Sequence, residues 1–176
     1  MSIKQLNASH VAEEDRVVLR ITTTDDNEYR LLLTRAMLRD MLGLVRQLQL
    51  VQAVNQHPSP LAADIAEFKQ QVQLSNAKFT EFEPASRLPL GDQPLMVRKA
   101  AINKHQGQDV LELNLPGKLL KLPLTDELSA QLGVVLQTIA DRAQWDLPLT
   151  FSQSSSEEAS PSSGLLSSKE IQKLLH

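Results

Sequence analysis

The chain has no cysteine in 176 residues, which removes disulfides, thiol catalysis and zinc–thiolate sites. Aromatic residues make up only 3% and reduce to Tyr29, Phe68, Phe79, Phe82, Trp145 and Phe151, so the core has to be built from leucine and valine. The six glycines are isolated from one another, which excludes a phosphate-cradling loop and a dinucleotide fingerprint. Net charge is -3 and the pI is near 5.8, so there is no general attraction for nucleic acid or an acidic membrane surface. The first ten residues lack the apolar run of a signal peptide, and no stretch approaches the roughly 20 apolar residues of a membrane span. The expectation is a soluble cytoplasmic protein without nucleic-acid or membrane partners.

What is present is a 41% hydrophobic composition arranged in two periods. Arg16–Thr22 is β-branched and apolar and reads as a strand. Thr23 to Asn27 is turn chemistry, and Glu28–Leu33 is the return strand of a hairpin. Thr34 caps a helix with apolar residues at Leu38, Met41, Leu42, Val45 and Leu48, ending near His57 before Pro58 and Pro60. A second helix is predicted from Leu61 to about Ser75, with Leu61, Ile65, Phe68 and Val72 on one stripe. Further strands are predicted at Ile3–Ala8, Lys78–Glu83, Leu95–Asn103, Asp109–Leu115 and Lys118–Leu122. The three prolines between Pro84 and Pro94 mark a loop. Thr125 caps a last helix, Asp126 to about Gln144, with Leu128, Leu132, Val135, Leu136 and Ile139 on its apolar face.

The two halves resemble one another. Leu42-Gly43-Leu44-Val45 and Gln47 match Leu132-Gly133-Val134-Val135 and Gln137, and each helix follows a hairpin and a threonine. The reading is an α+β fold of two duplicated β-hairpin-plus-helix units about a pseudo-twofold axis, each with room for one extra strand. Copy one spans residues 1–57, a helical insertion 58–94, and copy two 95–151. Glycine inside a helix costs about 1 kcal/mol against alanine, so its recurrence at Gly43 and Gly133 predicts a close backbone approach at both.

Motifs for chemistry are scarce. His10, His57, His105 and His176 are not at metal-ligand spacing, and no nucleophile elbow or H-E-x-x-H occurs. The acidic pairs Glu13-Glu14, Asp25-Asp26 and Glu157-Glu158 fall in turns or a linker, where nothing tunes a catalytic pKa. The chain is therefore expected to be non-enzymatic, with no cofactor, no metal and no catalytic residue. Arg35, Arg39 and Arg46 share one side of the first helix, at offsets of 4 and 11. They read either as a basic patch for a phosphate or acidic partner or, more commonly, as a solvated face.

After Phe151 the composition changes. Residues 152–164 are rich in serine and contain no large apolar residue, the composition of a disordered linker. Residues 165–176 become periodic again. Ser167 and Glu170 form a capping box, and Leu166, Ile171, Leu174 and Leu175 would line one side of the helix it starts. A helix this short does not persist alone in water, so its apolar side needs a groove. The linker gives a reach of roughly 20 Å, which leaves fold-back on its own domain and capture of another protein both open. The pattern at Leu166, Ser167, Glu170, Ile171, Leu174 and Leu175 resembles the N-terminal peptide of flagellar motor switch proteins. That resemblance implies docking on a phosphorylated chemotaxis response regulator. It covers some ten residues, lies at the opposite chain end, and has Gln172-Lys173 where the family has an acidic and a small residue. Separately, Glu14-Asp15-Arg16 and Tyr29-Arg30-Leu31-Leu32-Leu33-Thr34-Arg35 are similar to a family of small uncharacterised bacterial proteins. That similarity implies a bacterial source and no known activity.

The functional expectation is an adaptor or regulatory module linked to chemotaxis or flagellar signalling. It would bind a protein partner through Leu166, Glu170, Ile171, Leu174 and Leu175. The alternative is a structural subunit forming homo-oligomers through its tail.

Overall fold

The computed structural model describes residues 2–56, 64–68, 71–72 and 81–147. The chain opens with β1 (Ile3–Val11), a single 3₁₀ turn (Ala12–Glu14), β2 (Arg16–Thr23) and β3 (Glu28–Thr34), an antiparallel meander. Alternation places Val17, Leu19 and Ile21 on the buried face of β2 and Arg16, Val18 and Arg20 on the other. Leu19 is flanked by Ala8 and Leu31, so one apolar row runs across all three strands. The corner before β2 needs a left-handed residue, and Asp15 supplies it with φ 48°. Helix α1 (Arg35–Gln56) follows at once, the Thr34 Oγ1 accepting from the Met37 N–H at 3.1 Å. Leu38, Met41, Leu42, Val45 and Leu48 point into the core as the spacing predicts.

The expected strand over 95–103 is two strands in two sheets. β4 (Leu95–Met96) lies parallel to β3, with Leu31 beside Leu95 and Leu32 beside Met96. The Val97 N–H then donates to the Leu32 carbonyl at 3.0 Å and the Arg98 N–H to the Asn114 carbonyl at 2.8 Å. Two residues therefore carry the chain from one ladder to the other, with buried Val97 filling the crossing. Leu95 and Met96 consequently belong with the first half, not the second. β5 (Lys99–His105), β6 (Gln108–Leu115) and β7 (Lys118–Leu124) form the second antiparallel meander, and α2 (Asp126–Arg142) follows it. Thr125 caps α2, accepting from the Leu128 N–H at 3.2 Å, and Asp126 and Glu127 suit the positive end of the helix. Counting back from the capping threonines, Pro123 stands in β7 where Leu32 stands in β3. Proline has no N–H for a further ladder, and Lys118 and Lys121 are exposed on the same strand. That chemistry closes an edge against a fourth strand.

Both halves thus have the order strand, strand, strand, helix in a mixed α+β fold. The helices run antiparallel, shown by Gln56 Nε2 donating to Asp126 Oδ2 at 2.9 Å at one end and Gln49 Nε2 to the Ser129 carbonyl at 3.3 Å further in. Each helix also lies on the first strand of the opposite sheet, α1 on β5 and α2 on β1. One apolar cluster therefore draws on both sheets and both helices, from Val17 and Leu31 to Leu113, Leu136 and Trp145. Residues 64–68 and 71–72 are helical, within the predicted second helix; of its stripe Ile65 is half-buried, Phe68 and Val72 are exposed, and Leu61 lies outside the described residues. Phe68 is 66% exposed and Ala66 is the buried residue. Residues 81–83 join no ladder, so the predicted strand is absent over that part; its earlier part lies outside the described residues. No described helix is long and apolar enough to cross a membrane.

The glycine expectation holds at one position only. A Cβ at Gly133 would meet Gln49 Nε2 at 3.3 Å and Val45 Cγ1 at 3.4 Å, so α1 does approach α2 there. A Cβ at Gly43 would meet nothing within 4 Å, because Gly43 faces outward. Gly43→Ala should therefore stabilise the fold by about 0.5–1 kcal/mol through helix propensity alone. Gly133→Ala should gain less, since the Gln49 side chain has to move. Urea unfolding midpoints of the two variants, at equal slope, compare them directly.

Candidate functional site

Periodicity puts Arg35, Arg39 and Arg46 on one side of α1, but the structure separates Arg46 from the other two. Arg46 is 5% exposed, midway along the helix pair, and its Nη2 donates to Gln137 Oε1 at 2.7 Å. Gln137 Nε2 in turn donates to Asp141 Oδ1 at 2.8 Å. Burial pushes the Arg46 guanidinium below its ordinary pKa, against the pull of Asp141 and Glu67. This buried polar chain sets the register of α1 against α2 and does not belong to a surface patch. Arg35 and Arg39 remain exposed at the start of α1, beyond the part that α2 covers. With Ala36, Asp146 and Leu147 they line an open recess of about 490 Å³, at the point where the described chain ends. Arg39 also lies 3.4 Å from Asp40, both side chains largely in solvent, a pair worth little.

Three further polar groupings escape a reading of motifs. On the outer face of the first sheet Arg20 and Arg30 stand directly opposite each other, and Glu28 lies between them with 0% exposure. Glu28 Oε1 accepts from Arg20 Nε at 2.8 Å and Arg30 Nε at 2.7 Å, and Oε2 from the Ala85 N–H at 3.3 Å. The Phe82 ring stacks 3.9 Å from the Arg20 guanidinium. Glu81 to Asp92 thereby lies as a strap across this face, held also by Lys4 on Glu83 at 2.7 Å and by Arg30 Nη1 on the Asp92 carbonyl at 2.9 Å. Arg20 and Arg30 are thus committed to the fold.

On the second sheet Glu112 accepts from Lys121 at 2.8 Å and Asn103 at 2.8 Å, with His105 Nε2 at 2.9 Å. Hydrogen bonds from Lys121, then His105 and Asn103, bring the Glu112 pKa down to about 2. A depressed carboxylate stabilises the fold fully above its unfolded pKa of about 4.3 and loses that contribution as pH falls toward 2. An NMR titration of the Glu112 carboxyl carbon should show the low midpoint, and Lys121→Gln should raise it towards the ordinary value. The last grouping closes the C-terminal end of α2. Trp145, 3% exposed, donates its indole N–H to Asp15 Oδ1 at 2.7 Å, with the His10 ring edge-on at 5.6 Å. His10 is half-buried, and its Nε2 lies 3.6 Å from the same Asp15 oxygen.

Among the described residues no three acidic or histidine side chains converge as a metal site. His57, His176 and the peptide residues Leu166, Glu170, Ile171, Leu174 and Leu175 lie outside the described residues. No family model, no curated protein and no solved structure matches this chain.

Proposed function

We propose that the protein is a non-enzymatic adaptor whose C-terminal peptide docks into a groove on a partner protein. The carrying observation is the segment 165–176: a capping box at Ser167 and Glu170, then Ile171, Leu174 and Leu175 at helical spacing, behind a serine-rich linker. The body supports this reading by giving the tether a fixed origin. Trp145 is clamped to Asp15, and Leu147 lines the same recess as Ala36 at the start of α1. A response regulator is the partner class that the motor-switch resemblance suggests.

The test is an affinity capture from bacterial lysate with the full chain, alongside Ile171→Asp and Leu174→Asp. Loss of one captured protein with both variants, at unchanged thermal stability, is the expected result. Identical captures from all three chains would sink the proposal, and a captured response regulator would give the resemblance its meaning.

A further inference from the structure

The outward side of α1 has an unusual surface. From Gly43 to Gln56 the helix carries one charged residue, Arg46, and that one is buried. The face opposite the core presents Gly43, Leu44, Gln47, Leu50, Val51 and Val54. Val51 and Val54 are each 45% exposed, and Leu44 and Leu50 are half-buried. A solvated helix face is ordinarily rich in charge, so an uncharged face of this length is built to be covered. Gly43 adds a second sign. It opens a notch where no neighbour needs the space, and a helix can lie close over such a notch.

We propose that this face seats the chain's own C-terminal peptide, so that the docking segment rests on α1 until a partner takes it. The inference builds on the reading of residues 165–176 as a docking helix. Tether length selects the occupant. The described chain ends at Leu147, which shares the recess with Ala36. Val51 lies fifteen residues beyond Ala36 on α1, a distance of about 22 Å at the helical rise. The linker of residues 152–164, treated as the coil its composition predicts, spans about 20 Å root-mean-square. Effective concentration is greatest when span and tether match, which favours the tail in cis over a second copy or a foreign helix. Chemistry agrees: Leu166, Ile171, Leu174 and Leu175 offer an aliphatic side, and the glutamines around the α1 face leave no charge to repel Lys169 or Lys173. Docking in cis makes any partner compete with α1, which lowers its apparent affinity by the undocked fraction.

The absence of cysteine makes the experiment clean, because a single His176→Cys places one nitroxide at the tip of the tail of the full chain. Amide signals of Leu44, Val51 and Val54 should be attenuated at least about twofold more than those of Glu112 and Asn114, which lie on the outer face of the second sheet. That contrast should vanish in Leu174→Asp and also in Val51→Asp/Val54→Asp, whose half-exposed positions tolerate the change. Equal attenuation everywhere overturns the proposal, as does attenuation that survives both sets of substitutions. Attenuation transferred from a spin-labelled chain to a separate isotope-labelled one also overturns it, since the occupant is then a second copy. If α1 shows nothing while Leu174→Asp still loses a partner from lysate, the adaptor reading stands and the cis seat alone falls. If α1 responds and no partner is lost, the seat stands and the adaptor reading falls.

Discussion

Trp145→Ala lowers the unfolding free energy by about 3–5 kcal/mol, the range for a buried tryptophan truncated to a methyl. Trp145 is 3% exposed and, with Tyr29, is one of two aromatic residues in a described core otherwise made of aliphatic side chains. Its neighbours cannot collapse into the gap, because Trp145 seals the corner between α2, β1 and the turn at Asp15. Set against a total of roughly 5–15 kcal/mol for a domain, this is a large fraction. Two controls divide the loss. Trp145→Phe keeps most of the apolar area and gives up the 2.7 Å indole bond to Asp15. Asp15→Ala keeps the ring and leaves a buried N–H without its acceptor, at about 1–3 kcal/mol, with strain from the left-handed backbone at that position added to it. Combining them should be less than additive, because both remove one contact. Urea unfolding of the four variants measures this, and a Trp145→Ala loss under about 1 kcal/mol would contradict a tightly sealed corner around the indole.

The strands and helices that alternate or repeat cleanly were legible in the sequence. Arg16–Thr22, Asp109–Leu115 and both helices have one buried face, and burial of one face imposes the period. The threonine caps were legible because a hydroxyl before an apolar-periodic run has one common use. The crossing at Val97 was not, since nothing local in Leu95–Asn103 distinguishes one strand from two in different sheets. Arg46 departs from the predicted patch because periodicity gives an angle around α1 and says nothing of how far along it α2 extends. The spacing of Ile65, Phe68 and Val72 marks a helix and leaves open what that face meets, and Phe68 and Val72 are exposed. Glu28 had a usable signal: hairpin register puts Arg20 opposite Arg30, and like charges so placed call for a counter-charge nearby. The apolar spacing of residues 165–176 is legible only in the sequence, because those residues lie outside the described ones.

Glu28→Ala should cost about 3 kcal/mol, the lower end for removing one partner from a buried ion pair. Two arginines would then face each other across β2 and β3, with Nε groups that now donate at 2.8 and 2.7 Å losing their acceptor. Because the arginine side chains keep 27% and 28% exposure, water relieves part of that loss, and the upper end of the range is out of reach. Glu28→Gln preserves the shape and one acceptor and should cost about half as much. Acid tests the same interaction from the proton side. Burial pushes the Glu28 pKa up, but the hydrogen bonds from Arg20 and Arg30 outweigh it and the folded value lies below the ordinary one. The contribution is thus complete above the unfolded pKa of about 4.3 and lost as pH falls through the lower folded value. Stability of the parent chain should therefore fall more steeply below pH ~4 than that of Glu28→Gln, which has no proton to take up there. The strap supplies a local readout as well. With Arg20 released, Phe82 loses its cation and Ala85 its acceptor, so backbone amides of 82–87 should exchange faster while those of β6 do not. Parallel acid curves for the two chains would mean that Glu28 does not carry this face.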